Sequence, residues 1–197
     1  MTTEDRLFGE CADRGVLKHA RGNVLDAGCG DAEYTWRLAE LPTVLNVVAC
    51  DIVGPDDPLR NKRLVRKNLR RAHANFYQEP IESLSFAEGA FDTVWCWRVL
   101  QYVASPSAAL ASLAGVCKVG GVVILRVACG PDGEAPERVD TPTPEGHPRA
   151  VHPEAYTWRN FLSVEDWIVL AAGMKLLVEQ WYIDLGGSVV IVLVRSL

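Results

Sequence analysis

Hydrophobic positions in this chain alternate between short continuous runs and longer stretches with helical spacing, and that alternation predicts the elements. The runs at 23–27, 45–50, 74–78, 91–97 and 122–127 have the length and apolar content of buried strands. Residues 3–20 space Phe8, Cys11 and Val16 or Leu17 as one side of a helix. A second helix is expected from a cap at Asp31 to about Leu41, where Pro42 closes it, with Tyr34, Leu38 and Leu41 as core contacts. Leu64, Val65, Leu69 and Ala72 form an apolar stripe in the segment 60–73. Ser105 caps a further helix with Pro106 in its first position, and Gly120-Gly121 is expected to end it. Ser163 to Asp166 reads as a capping box for a helix through Ala172, stopped by Gly173. Leu176–Ile183 and Ser188–Arg195, joined across Asp184-Leu185-Gly186-Gly187, read as a β-hairpin. Strands alternating with helices and finishing in a hairpin predict an α/β fold, a doubly wound and mostly parallel sheet with an antiparallel edge hairpin.

Composition narrows the class. A chain of 197 residues, 49% hydrophobic and 23% charged, suits a single domain over 1–197. The stretch at about 129–161 shifts to Pro, Gly, Glu, Asp and His, and reads as a loop or lid insertion closed by Tyr156, Trp158 and Phe161, or as a solvated linker with an aromatic anchor. The amino end lacks the basic start and apolar core of a signal peptide, and no apolar stretch is long enough for a bilayer, so a cytoplasmic protein with no membrane partner is expected. Six cysteines without any Cys-x-x-Cys pair predict buried free thiols rather than a disulfide framework or a metal site. The net charge of −5 argues against general nucleic-acid binding, yet seven basic residues and no acid lie between Arg60 and Arg71. That basic face is either a solvated helix side or a docking surface for an anionic substrate or RNA.

The candidate chemistry gathers at strand ends. After the first run, Gly28 and Gly30 allow a sharp strand-to-helix turn that brings backbone N–H groups near a ligand, although many tight turns carry such a pair for steric reasons alone. Asp51, at the tip of the next run, can accept two hydrogen bonds from a ribose diol or can cap the Gly54-Pro55 turn. Trp97, Arg98, Gln101 and Tyr102 follow the fourth strand at the sheet edge where ligands of parallel sheets bind.

In order and spacing, Leu25-Asp26-Ala27-Gly28-Cys29-Gly30, Val48-Ala49-Cys50-Asp51, Phe91-Asp92-Thr93-Val94 and Lys118-Val119-Gly120-Gly121 resemble the motifs of class I S-adenosylmethionine-dependent methyltransferases. The last carries Val119 where the family has proline. The resemblance implies a Rossmann-like, seven-stranded sheet and S-adenosyl-L-methionine as cofactor. It implies that Asp26, Gly28 and Gly30 hold the methionine end, that Asp51 takes the ribose, and that Ile52 packs on adenine. Cys29, within the turn, and Trp97, at the end of the fourth run, are also expected at the cofactor. The family's acid near the adenine amino group has no direct counterpart, because Pro80 and Ile81 occupy that place and Glu79 falls one step early, leaving Ile81 to offer packing and its N–H.

Methyl transfer from a sulfonium depends mainly on alignment, with a base needed only where the acceptor must lose a proton. His152 and Tyr102 are the candidate bases, and Arg98, Gln101, Tyr102, Tyr156 and Trp158 the candidate acceptor contacts. Their aromatic content points to a small molecule with an aromatic or apolar part. Two alternatives stand beside it: RNA or protein methylation docked through 60–73, and a non-catalytic cofactor-binding module. A nicotinamide dehydrogenase fits less well, since the third glycine of its fingerprint falls on Glu33. Oligomeric state is not legible.

Overall fold

The computed structural model describes residues 3–57, 60–136, 160, 162–185 and 187–197. Strands β1 (Gly22–Ala27), β2 (Val44–Asp51), β3 (Asn75–Gln78), β4 (Phe91–Trp97), β5 (Cys117–Ala128), β6 (Leu176–Ile183) and β7 (Ser188–Arg195) form one seven-stranded sheet in the order β3-β2-β1-β4-β5-β7-β6. The pairings from β3 through β5 are parallel, and β7 runs antiparallel to both β5 and β6. The doubly wound, mostly parallel sheet with its antiparallel hairpin is therefore as the pattern predicted. A link of a few residues between β6 and β7 permits only an antiparallel return.

Successive strand residues face opposite sides, and each side has its own core. Leu25, Val94, Cys96, Val123 and Leu125 join Leu110 and Leu113 of α4 (Pro106–Val116) and Trp167 of α5 (Val164–Gly173). Val24, Trp95, Val122 and Ile124 join Cys11 of α1 (Thr3–Asp13) and Leu38 of α2 (Glu33–Ala39). The basic segment forms α3 (Lys62–Ala72), packed on α2 and capped by Asn61, whose side chain accepts from Leu64 N–H at 3.1 Å. All six cysteines are buried free thiols.

Three local expectations are corrected. The first helix stops at Asp13 because Gly15 takes a left-handed backbone, φ +72°, before a short 3-10 turn at Leu17–His19. Asp31 does not cap α2: Ala32, itself left-handed at φ +57°, precedes Glu33, with no side-chain cap bond. Gly120-Gly121 does not separate a helix from a strand. β5 already pairs Cys117 with Phe91, and the register slips before Thr93 pairs with Val122, so the glycines sit in a bulge with Gly120 at φ +75°. Asp92 fastens this bulge to β1, accepting from Lys118 Nζ at 2.6 Å and from Asn23 N–H at 2.9 Å.

Candidate active site

The carboxyl ends of β1 and β4 open into a cavity of about 480 Å³, within the range of small-ligand sites. Its lining comes from the turn after β1, Asp26 and Gly28 to Gly30, from Asp31, Glu33 and Tyr34 that follow it, from Trp97 and Arg98 at the end of β4, and from Leu7 of α1 and Leu64 of α3. Six residues expected at the site, Asp26, Gly28, Cys29, Gly30, Trp97 and Arg98, are thus brought together.

The turn's geometry changes the reason for its glycines. Gly28 and Cys29 N–H donate to the Cys50 carbonyl at 2.8 and 2.9 Å, and Gly30 N–H donates to Asp51 Oδ2 at 2.9 Å. All three donors are turned toward β2, so they brace the turn instead of cradling a ligand. What Gly28 supplies is clearance: at φ +76°, an added Cβ would lie 2.3 Å from Val99 Cγ2.

Asp26 is 2% exposed and accepts a hydrogen bond from Thr35 Oγ1 at 2.6 Å. Burial pushes its carboxyl up to about 7, against the Thr35 bond and with a further push from Asp51. Burial likewise holds the Cys29 thiol well above its ordinary range, which makes it a packing group and not a nucleophile. Opposite, Trp97 stacks on Trp95 with centroids 4.5 Å apart and meets Tyr34 at 5.2 Å. Arg98, at φ +62°, is held by its N–H donating to the Arg126 carbonyl at 2.7 Å, a strained backbone of the kind concentrated at functional sites.

The other expected residues are placed differently. Asp51 lies behind Gly30, 8% exposed, accepting from Val53 N–H at 2.9 Å and paired with Arg60 at 2.7 Å. Ile52 is half exposed beside it, while Ile81 is sealed in the core against α4 and does not line the cavity. Gln101 is buried and Tyr102 half-buried, neither on the cavity wall. His152, Tyr156 and Trp158 lie outside the described residues. Sequence reasoning missed Glu33 and Leu7, took Tyr34 as a core contact and Asp31 as a helix cap, and placed Arg60 in a basic segment that was either solvated or a docking face. Only Glu33 carried a signal, as an acid three residues after the turn.

Acids outnumber bases on the wall, Asp26, Asp31 and Glu33 against Arg98. An acidic, partly aromatic cavity beside a strand-end aspartate fits a ligand with positive charge and a ribose, as S-adenosyl-L-methionine has. Among the described residues no group of His, Cys, Asp or Glu is arranged for a metal ion, and no helix is long and apolar enough to cross a membrane.

Comparison with known proteins gives the same direction. A malonyl-[acyl-carrier protein] O-methyltransferase of Erwinia pyrifoliae is 35% identical over 124 residues, 60% of this chain and 43% of that protein. One of the same name from Laribacter hongkongensis is 31% identical over 121 residues, 59% of this chain and 40% of that protein. The chain thus spans about two fifths of the length of these curated relatives. Among solved structures, the PH0226 protein of Pyrococcus horikoshii superposes with a TM-score of 0.69 at 19% identity, covering 99% of this chain and 92% of that one. The Burkholderia thailandensis 1,6-didemethyltoxoflavin-N1-methyltransferase, bound to S-adenosylhomocysteine, gives 0.65 at 16%, covering 94% and 74%. The [4+2]-cyclase SpnF gives 0.69 at 15%, covering 98% and 82%. Such identities speak for the fold alone, and the cyclase shows that this fold hosts more than one chemistry. The methyltransferase domain family, however, matches residues 25–125, just over half of the chain, and the protein accordingly belongs to that family, the class I S-adenosyl-L-methionine-dependent methyltransferases.

Proposed function

We propose that this domain transfers the methyl group of S-adenosyl-L-methionine to a small-molecule acceptor with an aromatic or apolar part. The observation that carries this reading is the cavity's lining, which combines the acids Asp26, Asp31 and Glu33 with the aromatic pair Tyr34 and Trp97. The cofactor supplies a methyl group already activated on a positively charged sulfur. The chain's task is then positioning, which can contribute about 7–11 kcal/mol. Asp26 meets the positive methionine end, Asp51 receives the ribose diol, and Ile52 covers adenine while Ile81 backs it from the core. Trp97 and Tyr34 give the acceptor an apolar aromatic surface, and Arg98 orients a polar end. Tyr102 or His152 takes a proton from an acceptor that must lose one. Tyr156 and Trp158 are proposed as further acceptor contacts.

A second reading is favoured by α3. Lys62, Arg63, Lys67 and Arg70 are exposed on it, and Leu64 of the same helix lines the cavity, so the basic surface is carried by an element of the site. The relatives' name gives them a substrate borne on a carrier protein. An acceptor carried on an acidic protein would use the α3 face to dock, and an RNA would use the same charge.

Calorimetry of S-adenosylhomocysteine binding tests the cofactor assignment. Asp51→Ala should weaken binding by about one to two orders of magnitude, since charge-assisted hydrogen bonds contribute roughly 1.5–3 kcal/mol. Unchanged affinity would remove Asp51 from the site. For the acceptor, transfer of a labelled methyl to free small molecules should be insensitive to Lys67→Glu and Arg70→Glu. Transfer to a partner-borne acceptor should fall with both changes and with salt.

A further inference from the structure

The carboxylate assigned to the ribose is already occupied from within the chain. Arg60 is 7% exposed, and its Nη2 pairs with Asp51 Oδ1 at 2.7 Å while its Nη1 donates to the Gly30 carbonyl at 2.9 Å. Val53 N–H donates to the same Oδ1 and Gly30 N–H to Oδ2, both at 2.9 Å. A carboxylate offers about four lone-pair sites. With three donors in place, Asp51 retains room for one hydroxyl, whereas a ribose diol presents two. Gly30 and Val53 are backbone donors fixed by the turn and by the end of β2. Arg60 is the donor with a long side chain, and the one able to leave.

We propose that Arg60 is a latch on the cofactor site: it holds Asp51 and the glycine turn together in the free protein and turns off the carboxylate as the ribose arrives. The inference rests on the assignment of Asp51 to the ribose. The exchange is physically feasible because a buried ion pair loses much of its Coulomb attraction to desolvation, so the pair is worth far less than its charges suggest. On release the guanidinium regains water while two hydroxyl donors replace it on Asp51. Arg60 also directly precedes Asn61, the cap of α3, and Leu64 in the first turn of that helix lines the cavity. Movement of Arg60 therefore bears on the cavity lining and on the start of the basic helix. Arg60 acts through Asp51 and is a positioning residue, setting how tightly and how fast the cofactor binds.

The test is binding and not turnover, with S-adenosylhomocysteine as the probe. Arg60→Met should bind it roughly tenfold more tightly than the unaltered chain, because a competing charge-assisted bond is gone. Equal or weaker binding by Arg60→Met would overturn the latch and leave Arg60 as a brace for Asp51. Should that variant fail to fold, Arg60→Lys, which keeps the charge but loses the two-pronged grip, should fall on the tighter side of the unaltered protein; weaker binding counts against the proposal. Stopped-flow tryptophan fluorescence on the unaltered protein gives a reading without mutation. Its observed rate should level off as ligand concentration rises, since breaking the ion pair becomes the limiting step, and a rate rising linearly without limit would contradict it. Failure of the underlying assignment looks different. Asp51→Ala without effect would discard the ribose role itself, whereas Asp51→Ala weakening binding while Arg60→Met does not tighten it would discard the latch alone.

Discussion

At the scale of single residues, the site depends on one clearance and one displaced proton. Gly28→Ala meets two penalties, a left-handed backbone at φ +76° and a Cβ 2.3 Å from Val99 Cγ2, and Val99 is β-branched with little freedom to turn away. It should lower both the melting temperature and cofactor affinity, and adding Val99→Ala should recover part of each. Gly30→Ala, at φ +55° with nothing within 4 Å of the new Cβ, should cost only the backbone penalty of about 1–2 kcal/mol, measurable by thermal melts. Asp26 makes the site pH-dependent. Its folded pKa, about 7, lies above its unfolded value near 4, so the folded chain keeps a proton the unfolded chain sheds. Stability from this group is full below about pH 4, declines as pH rises toward about 7, and then levels. A positively charged methionine end favours the ionised form. Affinity for S-adenosylmethionine should therefore rise with pH through about 7 and binding should release a proton, seen as buffer-dependent heats in calorimetry. Asp26→Asn should flatten both.

At the scale of elements, a helix cap secures the face of the sheet covered by α4 and α5. Ser163 caps α5 reciprocally: its Oγ accepts from Asp166 N–H at 3.1 Å, and Asp166 Oδ2 accepts from Ser163 N–H at 2.9 Å and from its hydroxyl at 2.7 Å. Ser163→Ala should lower the melting temperature by about 2–4 °C, as the loss of one cap does in a chain of this size. The bonds from Ser163 hold the Asp166 carboxyl below its ordinary range. The cap's electrostatic part is therefore present above the ordinary carboxylate pKa and fades as pH falls through the lowered one, so the deficit of Ser163→Ala should shrink in acid. α5 carries Trp167 into the core against α4, and α4 follows the segment that bears Arg98 and Tyr102.

At the scale of the whole molecule, a buried ion pair ties the parallel sheet to its antiparallel end. Arg126, near the end of β5, donates from Nε to Asp184 at the hairpin turn, and both are almost wholly buried. Asp184 Oδ1 also accepts from Ser188 N–H at 3.0 Å, which closes the turn. The Arg126 guanidinium lies 5.6 Å from the Trp97 ring centre, so this junction also backs the aromatic wall of the cavity. Arg126→Met leaves a buried aspartate uncompensated and should destabilise the fold by about 3–5 kcal/mol in urea titrations. Asp184→Asn added to it should recover most of that loss, because an amide oxygen still accepts from Ser188 while the stranded charge is gone.

The order of hydrophobic runs was enough to determine β4, β6 and β7 to the residue, the caps at Ser105 and Ser163, and the doubly wound sheet, because each rests on neighbours along the chain: alternation, a hydroxyl before a helix, a short link between strands. That the chain turns at Gly28 to Gly30 and that β2 ends on Asp51 were legible for a related reason, since residue type at a strand end limits what can be built there. Only the tertiary structure decided the rest. Gly120-Gly121 became a bulge because β5 pairs with β4 earlier than its own composition indicates. The turn's N–H groups face β2 because Cys50 and Asp51 accept them. Arg60, surrounded in sequence by six other basic residues, left the solvated face for a buried carboxylate. A run of like charges shows which residues are basic, but the partner that draws one of them inward comes from nine positions back along the chain, and folding alone brings the two together.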